Sequence, residues 1–550
     1  MHATFHRCAV TTVILTATFA LATAQKREPT EKPAPPKSGF YDFRELRPEF
    51  PNGIGIVQQV SCMVSATTQP SIYSGNMLLD CDAEVPHNET TIAVDPLNAM
   101  HAVGGYHGYQ LSFLGATAIG RIFSTVSVTF DGGTTWQQVV PPITPYQFSG
   151  DPALAFNADG RVYLASIADH EGPGGSYTGP SVVVAHSDDG GLSWSNPATV
   201  ASGLGAVTRL TPGQLVFQDK EFIAVDASNV SPYRNRAYVT WTSFQEFAAK
   251  GQFRSPIMVS TSNDGDTWTP AKAISGSSPD CSVQYGGEAP NSCSANQFSS
   301  PAVASKGKAY VAFENFNTPA ENQYLVVTSS NGGATWSGPT RIGTVYDINY
   351  PISSFSGRST LTGCEFRLAA TGNLAVDPSN PNVAYMAWSD NRNGTTAATN
   401  NDVVLARSAD GGATWQEHVL DTSVNDQFYP WVAVAPDGRV DVGYMDRQYS
   451  TGQSVCQYGF TLTRATFDGA GNIATKASVR VDTGLSDAGQ SRWFSSSATG
   501  GQTLFIGDYN GIAIGSDSST WSLWTDMRNI VQNPPSSTRN HGQHAVAARR

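Results

Sequence analysis

Charge is scarce in this chain. Only 14% of its 550 residues are Asp, Glu, Lys or Arg, the formal balance is −12, and no basic run occurs. Nucleic-acid binding is thereby excluded as a main function, because neutralising phosphates takes clustered Lys and Arg. An anionic small ligand is not excluded, since a local group of arginines overrides the global sign. There is no CxxC and no His at ligand spacing from a Cys, which removes a zinc site. There is no GxSxG, so no nucleophile elbow. The Gly-rich loop at 172–175 lacks a following Lys-Ser/Thr and is no phosphate cradle. With 52 Gly and 32 Pro, no long apolar period of 3.6 residues survives, and a helical fold is out. Beyond the first two dozen residues no stretch is apolar enough to span a membrane.

The N-terminus reads as an export signal. His6 and Arg7 give a basic start, Cys8 to Ala22 is apolar, and Ala22-Thr23-Ala24 is a small-x-small cleavage site. Residues 1–24 are therefore expected to be a signal peptide, 25–39 a disordered Pro/Lys/Glu-rich linker, 40–85 an N-terminal extension, and 86–550 the main domain. A secreted or periplasmic location follows. Removing the signal leaves six cysteines, an even count that suits disulfides in an oxidising compartment. Of the 15 connectivities the preferred one is Cys62–Cys81, Cys281–Cys293 and Cys364–Cys456.

One short pattern recurs. It reads TFDGGTTW at 129–136, SDDGGLSW at 187–194, SNDGDTW at 262–268, SSNGGATW at 329–336 and SADGGATW at 408–415, with a fading copy at 466–471 that has lost its Trp. The copies lie about 58 to 79 residues apart, one per structural unit. Each follows a β-rich run such as Val182–His186, so each marks a strand, a tight turn and a second strand. The Asp carboxylate accepts backbone N–H groups, the Gly takes φ > 0, and the Trp covers the turn.

From Pro86 each unit opens with an apolar run, a turn and a second apolar run. Thr91–Pro96 with His101–Tyr106 is the first, and Trp431–Ala435 with Val440–Tyr444 the sixth. A seventh has Leu504–Gly507, then Trp521–Trp524, with His544–Ala548 as its third strand. The fold class predicted is all-β, a β-propeller of six or seven four-stranded blades with hairpin turns at the repeated motif.

The pattern S-x-D-x-G-x-T-W resembles the Asp-box (BNR) repeat of sialidases and related propellers, over about residues 86 to 550. The resemblance implies a structural role for the motif, on the rim away from any active site. It also implies six blades where seven units are counted here. It implies a glycoside hydrolase acting on terminal sugars of a glycan, sialic acid among them. The alternative is a non-catalytic propeller that binds a glycan or a protein. The Arg-Ile-Pro motif that sialidases carry ahead of their first blade is missing, which favours the alternative.

In a propeller the loops before first strands and after second strands meet at the axial funnel. Before first strands stand Glu89, Asp151, Asp219, Lys220, Glu221, Asp426, Tyr429, Asp508 and Tyr509. After second strands stand His107, Asp169, His170, Glu314, Asp390, Arg392, Asp446, Arg447, Asp526 and Arg528. Carboxylates mixed with a few Arg, Tyr and His suit a glycosidase or a sugar site. By the resemblance, Tyr509 is the nucleophile, Asp508 its activator, Asp151 or Glu221 the acid/base group, and Tyr429 a second choice for nucleophile. Arg392, Arg447 and Arg528 occupy matching places and would clamp a sugar carboxylate, unless each pairs with its neighbouring Asp. No cofactor is expected, although the loop Asp content is compatible with a structural Ca²⁺. The expected partner is a glycan or glycoconjugate, and the expected state a monomer.

Overall fold

The computed structural model describes residues 61–550, apart from 82–84, 115–116, 173–175, 178, 204–213, 248–251, 286, 453–454, 492, 495–501 and 531–540. The proposed signal peptide and linker lie outside the described residues. The fold is a seven-bladed β-propeller. Blade one runs His87–Asp95, Asn98–Leu114, Thr117–Thr129 and Thr135–Val139 from the axis outward. Blades two to six repeat that order, opening with Phe148–Phe156, Gln214–Val225, Asn296–Val303, Asn373–Val376 and Gln427–Val434. The innermost strands neighbour one another in sequence order and the seventh meets the first, so the ring closes.

Blade seven is assembled from both ends of the chain. Its inner strands are Gly511–Ile514, Thr520–Asp526 and His544–Arg549, and its outermost is Met77–Leu78, paired antiparallel to His544–Arg549. Cys62–Ser65 adds a fifth strand to blade one. Two expectations are thereby corrected. The described part of segment 40–85 is woven into the propeller, so the domain begins well before residue 86. The first strand of blade seven is Gly511–Ile514 and not Leu504–Gly507. The earlier run turns away at Gly507, whose φ is +92°, and feeds the axis instead. The three disulfides are Cys62–Cys81, Cys281–Cys293 and Cys364–Cys456, consistent with an oxidising compartment. Among the described residues no helix is long and apolar enough to cross a membrane.

The repeated motif sits between the third and fourth strands of blades one to five. Strands alternate in direction, so these turns lie at the opposite end of the blade from the start of the first strand. In blade five, Asp410 Oδ1 accepts from Ser408 Oγ (2.9 Å), Ala413 N (3.0 Å) and Thr414 N (2.9 Å), and Oδ2 from Thr414 Oγ1 (2.6 Å). The Trp415 indole N–H closes onto the Gly412 carbonyl at 3.2 Å. Gly411 and Gly412 have φ of +82° and +91°, where a Cβ is strained. Asp410→Ala removes the acceptor of four bonds, two of them backbone amides. The expected loss is about 2 kcal/mol in denaturant unfolding, with catalytic or binding properties unchanged. A shift in ligand affinity as large as the loss in stability would contradict this purely structural role.

Candidate functional site: the axial centre

Five innermost strands carry the same defect. Pairing slips between Asn88 and Thr91, Gly150 and Ala153, Asp219 and Phe222, Gln297 and Ser300, and Phe428 and Trp431. Two residues there face one on the next strand, which is a β-bulge. The first bulged residue is Glu89, Asp151, Lys220, Phe298 or Tyr429, with φ between 50° and 55° in every case. For a residue with a side chain this left-handed conformation costs free energy, of order 1 kcal/mol or more, and it re-aims the side chain. The ring of bulges turns one side chain per blade out of the strand's alternation.

Glu89, Asp151 and Lys220 meet as a result. Lys220 Nζ lies 3.1 Å from Glu89 Oε1, 3.2 Å from Asp151 Oδ2 and 2.8 Å from Asp508 Oδ2. Arg367 forks onto Asp508, with Nε at 2.8 Å and Nη2 at 2.5 Å from its two oxygens. His107 Nε2 stands 3.2 Å from Glu89 Oε2 and 3.3 Å from Asp151 Oδ1. Asp219 and Glu221 flank Lys220 in the chain, and all of these groups are buried. Below them Tyr509, Phe222 and Trp431 form an aromatic floor with ring centroids 5.4 to 6.1 Å apart, drawn from blades seven, three and six. Lys220 Nζ lies 5.4 Å from the Tyr509 ring centroid.

Burial and neighbours split the carboxyl groups into two sets. Burial, reinforced by the Asp151 charge, lifts Glu89, Asp219 and Glu221 above the usual carboxylate range. Burial is the largest influence on Asp151 and opposes its ionisation, but the Lys220 ammonium together with the neighbouring His107 and Glu89 outweighs it and holds that carboxyl low. Asp508, buried too, is held at about 2 by Arg367 and Lys220. Burial alone would discharge Lys220, yet the Asp151 and Asp508 carboxylates raise it instead. Burial lowers His107, leaving it neutral. Asp151 and Asp508 are thus shifted toward the charged form beside the cations Lys220 and Arg367, while Glu89, Asp219 and Glu221 are shifted toward the protonated form. Burial, followed by the surrounding carboxylates, keeps Tyr509 and Tyr429 protonated.

Asp151, Asp508, Glu221 and Tyr509 are thus brought to one place by the fold. Tyr509 Oη donates to the Pro152 carbonyl at 3.3 Å, and Tyr429 Oη to the Arg367 carbonyl at 2.9 Å. The three arginines expected to clamp a carboxylate are not brought together. Arg392 pairs with Asp390 at 2.8 Å, Arg528 with Asp526 at 2.7 Å, and Arg447 with Asp426 at 2.6 Å. Each guanidinium is spent on a carboxylate, the Asp two residues before it for Arg392 and Arg528 and the more distant Asp426 for Arg447, because a guanidinium withdrawn from water needs an anion within reach. The axial arginine is Arg367. It lies in the long connection 346–372 between blades four and five, three residues past Cys364, and the expected candidates do not include it. That connection, far longer than a blade-to-blade link requires, was its signal.

Glu89, His107 and Asp151 form the one group among the described residues whose donor atoms suit a metal ion, all within 4.8 Å. These residues do not fit a resident cation. The Asp151 backbone N–H already donates to His107 Nε2 at 2.6 Å, and Lys220 supplies the positive charge between the carboxyls.

Seven four-stranded sheets about one axis, with Asp-box turns on one side and a buried ionic centre toward the other, define an Asp-box β-propeller. The chain belongs to the BNR repeat-like domain family, whose model matches residues 152–442. No curated protein matches it. Among solved structures it is similar to a protein of unknown function from Dyadobacter fermentans, at 15% identity over 67% of this chain and 93% of that one, with a TM-score of 0.41. It is also similar to the NanB sialidase of Streptococcus pneumoniae, at 10% identity over 91% and 99% with a TM-score of 0.42. An α-L-arabinanase of Penicillium chrysogenum matches at 13% identity over 76% and 99%, with a TM-score of 0.41.

Proposed function

We propose that this protein is an extracytoplasmic glycan-active enzyme that hydrolyses a glycosidic bond at the axial centre. The observation that carries the reading is the pair Glu89 and Asp151, adjacent carboxyl groups pushed in opposite directions, Glu89 up by burial and the Asp151 charge, Asp151 down by Lys220 and its other neighbours. Glycoside hydrolysis needs that pair, one carboxylic acid to protonate the departing oxygen and one carboxylate to act on the far side. Glu89 gives its proton to the leaving oxygen. Asp151, too close to Glu89 for a water to sit between them, attacks the anomeric carbon as the nucleophile while the aglycone leaves with the Glu89 proton, and a water deprotonated by Glu89 then hydrolyses the glycosyl ester and frees Asp151. Asp508 is committed to Arg367 and sets the position of that guanidinium. Tyr509, kept protonated under the ammonium, forms the floor on which the reacting group rests. With Arg392, Arg447 and Arg528 each paired, no sialic-acid clamp is proposed from them.

Complete burial of Glu89, Asp151 and Lys220 favours a second reading, in which the cluster is a closed ionic plug and the propeller holds a glycan or protein without cleaving it. Purified protein incubated with a fluorogenic sialoside, aryl glycosides of other sugars and polysaccharides decides between them. Sugar release that disappears in Asp151→Asn supports hydrolysis. Binding on a glycan array with release from no substrate sinks it and leaves the second reading.

A further inference from the structure

We infer that His107 is a positioning residue, locked as its neutral Nδ1–H tautomer by a chain of amides running from blade seven to blade two, and that this lock is what keeps a proton on Glu89 Oε2. The catalytic meaning of that proton rests on the hydrolase reading above; its location does not.

The chain is anchored at both ends by backbone groups, whose polarity is not in question. At one end is the Phe505 carbonyl, which only accepts. Gln543 Nε2 donates to it at 2.9 Å and to Thr503 Oγ1 at 3.2 Å. The Gln543 amide is thereby oriented with Oε1 outward, and Asn88 Nδ2 donates to that oxygen at 2.9 Å. Asn88 Oδ1 is then turned toward His107 Nδ1, 3.1 Å away, and only an N–H on Nδ1 can fill that contact. Tyr109 Oη donates to the same Asn88 oxygen at 3.2 Å and lies 3.2 Å from Nδ1. At the other end is the Asp151 amide, which only donates. It reaches His107 Nε2 at 2.6 Å, so Nε2 bears a lone pair and no hydrogen. The two ends agree on one tautomer, and all of Asn88, His107, Tyr109 and Gln543 are buried.

The consequence falls on Glu89. Its Oε1 receives the Lys220 ammonium, but its Oε2 sits 3.2 Å from the lone-pair side of His107 Nε2 and has no hydrogen-bond donor among the described residues. An ionised Oε2 there, beside an Asp151 Oδ1 that is 3.3 Å from the same nitrogen and likewise without a hydrogen-bond donor, would set two negative oxygens against one lone pair in a buried site. A proton on Oε2 removes that repulsion. It also offers a donor to Asp151, whose Oδ1 stands 3.3 Å from the same unprotonated nitrogen. The other charged and titratable groups facing Glu89 are Arg367 (3.8 Å from Oε1), Asp508, Tyr109 and Tyr509. The cations approach from the Oε1 side, and neither reaches Oε2.

Two spectroscopic readouts that need no substrate test the lock. In protein labelled with ¹⁵N-histidine, with His107 assigned by its loss in His107→Gln, the expected pattern at neutral pH is a protonated Nδ1 and a bare Nε2. An imidazolium or an Nε2–H signal overturns the inference. In the infrared difference spectrum of wild type minus Glu89→Gln, a carbonyl band of a protonated carboxyl group that shifts in D₂O is expected at neutral pH. A carboxylate pair of bands in its place also overturns it. Asn88→Leu removes the Nδ1 acceptor and should both weaken the Nδ1–H signal and diminish the Glu89 carboxylic band. If that variant folds with both signals intact, His107 is not held through Asn88. If it does not fold, the wild-type spectra still decide. Failure of glycan turnover with both spectra as expected counts against the hydrolase reading alone.

Discussion

Replacing Lys220 by methionine should destabilise the protein by about 3–5 kcal/mol, the size measured when one partner of a buried ion pair is removed. The ammonium lies within 3.2 Å of three carboxyl groups, and of the groups acting on Asp151 it is the largest that favours its charge. Methionine fills most of the volume, so the loss reports the missing charge and not a cavity. Adding Asp151→Asn to Lys220→Met should return part of the stability, because the uncompensated carboxylate goes with it. Asp151→Asn alone should destabilise. A double-mutant cycle in guanidinium unfolding measures the coupling. A loss below about 1 kcal/mol for Lys220→Met would mean that water or a shifted proton already compensates the centre. The acid limb has a definite sign. Asp508 is depressed to about 2, so its stabilisation is present above the ordinary carboxylate pKa of 3.8 and is lost as pH falls through about 2.

Glu89→Gln should do the reverse: abolish turnover and leave the fold intact. Glutamine copies the shape of a protonated glutamic acid and still accepts the Lys220 ammonium through its carbonyl oxygen. It cannot deliver a proton, and loss of a general acid typically lowers the rate by about 10²–10⁴-fold. The stability change should be within about 1 kcal/mol at pH 5. A group whose folded pKa is raised contributes fully below its unfolded value of 4.5 and loses that contribution as pH rises toward the folded value. Wild type therefore weakens over that interval and Glu89→Gln does not, so the variant should gain relative stability with rising pH. A variant that loses several kcal/mol at neutral pH would place the charge on Glu89 and overturn the assignment of the acid. Sugar release at wild-type rate from Glu89→Gln would remove Glu89 from the chemistry altogether.

Much of this was legible in the sequence because propellers repeat. The Asp boxes mark the outer hairpins of blades one to five, and the unit pattern they set located Glu89, Asp151, Lys220 and Tyr429 just ahead of the first apolar runs. Alternation along a strand did not foretell that these four would point to one place. That depends on the bulge, a backbone event at φ near +50° in residues that have no intrinsic preference for it. Arg392, Arg447 and Arg528 looked alike in sequence and are alike in structure, each tied to a carboxylate. The resemblance that suggested a shared clamp could not distinguish a guanidinium facing the axis from one stapling a loop. Arg367 lies outside the repeat, in an inter-blade connection, and a frame built from repeats has no place for it. The chain of amides through Gln543 and Asn88 joins residues 455 positions apart, a separation over which sequence carries no local signal.

Met77–Leu78 has a consequence for how the molecule is made. This strand leaves the ribosome long before its partner, His544–Arg549. The Asp80 carboxylate that pins the junction waits for His544 Nδ1 (2.8 Å) and the Ala545 amide (2.7 Å), and Asn76 waits for the Val481 carbonyl. Six blades can form during translation, each from contiguous chain. The seventh must wait for residues 544–549, and Gln543, the residue that begins the amide chain to His107, arrives with it. The ionic centre is therefore completed only after the ring is latched, so a nascent or C-terminally clipped chain carries the blades without the assembled axial centre.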